Sequence, residues 1–186
     1  MTPRAFPEPY LQPDRQKGCG FCSAAYVARC LGRPDVTAEM VKAWRAETRY
    51  HEVAYAREVL GAEHLRFGLA EDAGDQDGRN AFWLGPRRRE WTERHLDAGW
   101  TAQVMLHRIA GMGHAAVVLG HSAEGVLLMD PVYGHVTEPW GWFLGPGPKA
   151  ECPDWPGTAP DGRPFYGCHF IEGWYRLPPG RMAAHP

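Results

Sequence analysis

The sequence predicts an α+β fold in which an N-terminal helical half, bearing a cysteine at a helix start, packs on a C-terminal antiparallel sheet. Three observations carry that expectation. Apolar side chains recur at helical spacing between residues 22 and 60, apolar runs of strand length dominate beyond residue 100, and the helical half precedes the β half in the chain. The 186 residues suffice for one two-layer domain without disulfides or metal, and 44% hydrophobic with 23% charged residues is an ordinary globular balance.

Residues 1–17 are polar and broken by prolines, an extended arm leading into Gly18-Cys19-Gly20-Phe21-Cys22. From Cys22, the side chains Ala24, Val27, Cys30 and Leu31 define a helix that Gly32 and Pro34 stop. A second helix, capped by Asp35 or Thr37, runs to about Glu47 with Met40, Val41 and Trp44 on one face, and His51 to Leu60 reads as a third. Residues 71–79, acidic and glycine-bearing, are expected to form a surface loop. Pro86 opens a helix carrying Trp91 and Leu96 to a stop at Gly99, and the basic run Arg87, Arg88, Arg89 is its solvated start. The period then changes. Residues 100–107 alternate as a strand, while 115–119 and 126–129 are continuous apolar runs joined as a hairpin through 120–125. Further strands are expected at 134–143 and 168–177, around a Pro/Gly-rich loop at 145–164. The expected organisation is a single domain over 1–186: arm 1–17, helical half 18–98, β half 99–177 and tail 178–186.

A formal net charge of −2 without a dense Lys/Arg run leaves no footprint for nucleic acid. No stretch approaches the roughly 18 apolar residues of a membrane span, so membrane insertion is not expected. Met1 to Glu8 lacks a secretory core, so the cytoplasm is the expected location. Five cysteines do not make a disulfide framework and direct attention to catalysis or metal binding.

A thiol attacks as its thiolate, and the positive end of a helix dipole with a neighbouring imidazolium lowers its pKa. Cys22 meets the first condition by position, and Gly18 and Gly20 allow a tight backbone entry with free amides. The base must be held by a third group. With a hairpin turn near residue 122 or 123, His114 falls nearly opposite Asp130, and their common parity puts both on one face. Cys30 reads as a core thiol, and Cys152 and Cys168 as structural ones.

The run Gln16-Lys17-Gly18-Cys19-Gly20-Phe21-Cys22-Ser23 resembles the nucleophile segment of the papain-like cysteine peptidases, including a glutamine six residues before the nucleophile. The later runs Gly113-His114-Ala115-Ala116-Val117 and Met129-Asp130-Pro131, with Gly134 following, are similar to the compact branch: double-glycine leader peptidases and their stand-alone relatives. The resemblance spans about residues 12–145 and implies a papain-like fold. It implies Cys22 as nucleophile, His114 as base, Asp130 as orienter, and an oxyanion hole from Gln16 and the Cys22 amide. The family commonly has a disulfide at the position of Cys19, which a cytoplasmic location would leave as a free thiol. Either Cys19 or Cys22 fits the Cys-Gly-Phe-Cys form as nucleophile, and the glutamine spacing selects Cys22. Phe21 and Ser23 depart from the papain and cathepsin signature, so substrate preference does not transfer.

The implied activity is a peptidase or amidase acting on a peptide or small amide or acyl substrate, without cofactor or metal. An acyltransferase or amide-forming enzyme would use the same residues with an amine acceptor. A non-catalytic binding module is a further alternative. Cys19-Gly-Phe-Cys22 is also a CxxC redox pattern, but the polar, proline-broken residues before it cannot supply the buried strand that a thioredoxin-like protein needs there. Zinc held by Cys19 and Cys22 together with Cys152, or together with Cys168 and His169, lacks a second paired motif, and His51-Glu52 lacks the histidine of a zinc-protease helix because Tyr55 stands there. Trp140, Trp142, Trp155 and Trp174 are candidates to wall a groove, with core packing the alternative.

Overall fold

The computed structural model describes residues 6–12, 18–65, 88–108, 113–143 and 165–178. Helices α1 (Cys19–Cys30), α2 (Ala38–Thr48) and α3 (Tyr55–Leu60) come first, with a 3-10 turn at Glu52–Ala54. Strand β1 (Glu63–Leu65), helix α4 (Arg88–Asp97), strands β2 (Thr101–Arg108), β3 (His114–His121), β4 (Gly125–Asp130) and β5 (Gly134–Pro139), the short helix α5 (Trp140–Phe143) and strand β6 (Phe165–Arg176) follow. The chain is α+β, helices leading and a six-stranded sheet following.

Helix α1 begins three residues before the expected start. Gly18, with φ 113°, makes the entry in a conformation that disfavours any side chain, so the helix opens at Cys19 and Cys22 lies one turn inside. Residues Cys22 to Ala28 are all buried, because the helix is covered on two sides. Ala24, Ala25 and Ala28 pack with Val36, Val41 and Tyr55 of the helical layer, while Tyr26, Val27 and Leu31 pack on Val117, Leu119 and Met129 of the sheet. Small residues on the first face let the helices approach, and the larger ones grip the sheet. Helix α2 starts where the cap predicts, the Thr37 hydroxyl accepting from the Met40 N–H at 3.3 Å. Met40 itself is exposed, so only Val41 and Trp44 of the expected face pack inward.

The sheet order is β1-β6-β2-β3-β4-β5, with each pairing antiparallel. The strand at 114–121 is central, as its continuous apolar run requires. The last strand enters between β1 and β2, and β1 was not anticipated: three residues are too few for a visible alternation. The opposite core gathers Trp91, Trp100, Val104, Leu128, Phe143 and Trp174. Trp140, Trp142 and Trp174 are therefore core rather than groove residues. Trp155 and the expected loops at 71–79 and 145–164 lie outside the described residues.

Residues 6–12 strap the helix to the sheet. The Tyr26 hydroxyl donates to the Pro7 carbonyl at 2.7 Å and meets His135 Nε2 of β5 at 2.8 Å. A phenol has one hydrogen, so His135 Nε2–H is the donor in the second bond. The Tyr10 hydroxyl accepts from the Ala38 N–H at 3.0 Å, the Arg29 guanidinium covers the Tyr10 ring, and the Gln12 N–H donates to the Pro131 carbonyl at 2.8 Å. Tyr26→Phe should lower unfolding free energy by about 1–2 kcal/mol, the usual cost of deleting a buried hydroxyl with two partners. Urea denaturation is the measurement, and an unchanged midpoint would show that the strap is not held there.

Candidate active site

The start of α1 meets the start of β3. Cys19, the first residue of the helix, is half-buried, and its thiol is hydrogen-bonded to His114 and to the backbone of Ala115. His114 is buried, and its Nε2 lies 3.0 Å from Asp130 Oδ2. Asp130 is fully buried at the end of β4, where its Oδ1 accepts from the N–H groups of Val132 and Tyr133 at 2.7 and 3.1 Å. The turn after Asp130 thus holds one carboxylate oxygen and leaves the other for the imidazole. Since Nε2–H faces Asp130, the remaining ring nitrogen Nδ1 is the one that serves Cys19.

A one-residue irregularity puts these side chains together. Near the hairpin turn Gly120 pairs with Leu127 and His121 with Val126, but further along Val118 pairs with Leu128 and Val117 with Met129. Leu119 is the extra residue of a β-bulge. With the bulge, Asp130 falls opposite Ala116 and shares the face of Ala116 and His114. Without it, Asp130 would oppose Val117 and point to the other face. The spacing places His114 nearly opposite Asp130. In the folded chain the two are diagonal neighbours on that face, two positions apart, which long side chains bridge.

The residue beside His114 is Cys19, not Cys22. Cys22 is 2% exposed among the helical side chains, and its N–H donates to the Gly18 carbonyl at 2.9 Å, so the Cys22 amide is already used within the first helical turn. Burial, followed by the charges of Cys19 and Glu39, raises the Cys22 thiol to about 11, the reverse of what a nucleophile needs. Because α1 opens at Cys19, three residues before the expected start, the positive end of its dipole acts on the Cys19 thiol.

Burial alone would raise the Cys19 thiol, but hydrogen bonds from His114 and Ala115 and the charge of His114 outweigh it and leave the thiol below its ordinary value. Burial likewise opposes charge on His114, yet the hydrogen bonds and charges of Asp130 and Cys19 raise it to about 9. Opposite shifts of hydrogen-bonded partners favour a thiolate–imidazolium pair, titrating as one unit.

Gln16 lies outside the described residues. Gln12, not among the residues singled out by the sequence, is buried at 8% exposure, anchored to Pro131 beside Asp130, and its Oε1 has no hydrogen-bond partner among the described residues. Its signal was a glutamine shortly before the first cysteine of the pair, concealed once the spacing was counted from Cys22. Gly20 is close-packed: a Cβ there would collide with Oε1 of Glu52, whose other oxygen is bound by Arg45 Nη1 at 2.7 Å. This explains the glycine after Cys19.

Among the described residues no group of three or more His, Cys, Asp or Glu is arranged to hold a metal ion, and no helix is long and apolar enough to cross a membrane. The zinc alternative also needs Cys152, Cys168 or His169, whose side chains lie outside the described residues. No family model, curated protein or solved structure matches the chain.

Proposed function

We propose that the protein is a cysteine-nucleophile hydrolase, a peptidase or amidase of papain-like character, with Cys19 as nucleophile, His114 as base and Asp130 as orienter. The supporting observation is the continuous chain from a helix-start thiol through a buried imidazole to a buried carboxylate that has no other side-chain partner among the described residues. Such a chain recurs where acyl groups are transferred, and it is recognised by geometry rather than by sequence position. Its placement, a helix start against one strand with the acid on the next, supports the papain-like resemblance of the motifs.

In this reading the Cys19 thiolate attacks a substrate carbonyl carbon, and the oxyanion is met by N–H groups at the start of α1 and by the carboxamide of Gln12. The His114 imidazolium gives its proton to the departing amine, leaving a thioester on Cys19 and a neutral ring. His114 Nδ1 then removes a proton from water as the oxygen attacks the thioester, and the thiolate leaves. Asp130 keeps Nε2 protonated throughout, so that the nitrogen facing Cys19 is the one that exchanges protons.

The test is acylation by an activated ester such as p-nitrophenyl acetate, followed by intact-mass and peptide analysis. An acetyl adduct on Cys19, absent from Cys19→Ser and cleared within minutes, supports the reading. Acetylation spread over lysines, unaltered in that variant, would sink it. Faster clearance and an amide product with an added amine would identify an acyltransferase instead.

A further inference from the structure

Acyl transfer at Cys19 leaves Cys22 without a task, although it lies directly below in the same helical turn. We propose that Cys22 is the resolving thiol of Cys19, and that the two form a reversible disulfide across the first turn of α1 when Cys19 is oxidised. The inference rests on the reading of Cys19 as an activated thiol and adds a modification site to it.

Geometry selects this pair. Residues three apart on a helix have Cβ atoms about 5–6 Å apart, whereas a disulfide needs about 3.5–4.5 Å, so a closure of roughly 1–2 Å suffices. That closure falls within the first turn of α1, entered through Gly18. The turn is held by the Cys22 N–H bond to the Gly18 carbonyl, and the glycines at 18 and 20 place no side chain in the way. The third described cysteine, Cys30, ends the same helix, about 16 Å from Cys19 at 1.5 Å per residue, and cannot substitute. The burial of Cys22 matters equally. At 2% exposure it is shielded from bulk oxidants, so it remains reduced until a sulfur electrophile forms beside it.

The chemistry balances with a peroxide as oxidant. The Cys19 thiolate attacks one oxygen of hydrogen peroxide; an S–O bond forms, the O–O bond breaks, and the departing hydroxide takes a proton from the His114 imidazolium to become water. The Cys22 sulfur then attacks the Cys19 sulfenic acid. An S–S bond forms, the S–O bond breaks, and the leaving oxygen takes the Cys22 proton as a second water. Each sulfur loses one electron, and the peroxide is reduced to two waters. A dithiol reverses the bridge by exchange and restores both thiols.

The test treats the full-length protein with hydrogen peroxide in modest excess, blocks free thiols with iodoacetamide, and maps the peptides by mass spectrometry. The expected product is an unalkylated peptide two hydrogens lighter containing both Cys19 and Cys22, with Cys19 labelling returning after dithiothreitol. In Cys22→Ser, and in Cys22→Ala as a second packing variant, recovery of Cys19 should fall about tenfold as sulfinic acid accumulates. Sulfinic acid on Cys19 of the unaltered protein with Cys22 still alkylatable overturns the proposal, as does a bridge from Cys19 to another cysteine. Labelling of the reduced protein separates the two readings. If Cys19 is not selectively labelled, the nucleophile reading fails with this one; if it is, but no bridge forms, only this inference fails.

Discussion

Iodoacetamide at pH 7 is expected to alkylate Cys19 at least about a hundredfold faster than Cys22, because only the thiolate reacts and the two thiols are shifted in opposite directions. With the Cys22 thiol near 11, its thiolate is scarce until strongly alkaline pH, whereas Cys19 is held below its ordinary value by His114 and the Ala115 amide. The pH dependence should therefore show Cys19 reacting below the usual thiol range and Cys22 only far above it. His114→Gln, which can still donate a hydrogen bond but carries no charge, should return Cys19 toward an ordinary thiol and remove most of its advantage. Rates are read by quantitative peptide mapping against pH. Equal rates at Cys19 and Cys22 would sink the assignment.

The second large effect is expected at Asp130. Its carboxylate is fully buried and satisfies His114 Nε2–H and two backbone N–H groups. Asp130→Ala strands all three donors and should destabilise the protein by about 3–5 kcal/mol, measured by denaturant titration. Asp130→Asn retains an acceptor for Val132 and Tyr133 but not the charge, so a smaller loss, about 1–3 kcal/mol, is expected. The variants also test proton linkage. His114 is raised from 6.5 to about 9 in the folded protein, so its stabilisation is fully present below about pH 6.5 and is lost as pH rises through about 9. The asparagine variant should flatten that slope and slow Cys19 alkylation near neutral pH. An unchanged slope would show that Asp130 does not govern the charge of His114.

Much of the fold was legible because it rests on local signals. Helical spacing in residues 22–31, the Thr37 cap and the continuous apolar run at 115–119 each correspond to an observed element. The third expected helix begins as a 3-10 turn before α3, a difference confined to an element's start. What escaped was non-local or carried by a single backbone angle. Strand β1 is too short to show a pattern and exists because β6 offers it an edge, with the ion pair between Arg176 Nε and Glu63 Oε2 at 2.6 Å across the seam. The place of β6 between β1 and β2 depends on pairings across 57 to 113 residues, which no local period encodes.

The candidate site divides the same way. By itself the sequence determined the residue types and the neighbourhood: a cysteine pair at a helix start, a histidine opening one strand, and an aspartate closing the next. Tertiary structure decided which cysteine and which register. Gly18 in a left-handed conformation starts α1 at Cys19, turning that thiol toward His114 and sending Cys22 into the core. The bulge at Leu119 brings Asp130 to the face of His114. Both are one-residue choices of backbone geometry, stabilised by packing on each side of α1 and by the ladder of the sheet. Their energies come from contacts between distant segments, which is why spacing along the chain pointed to Cys22 while the folded protein presents Cys19.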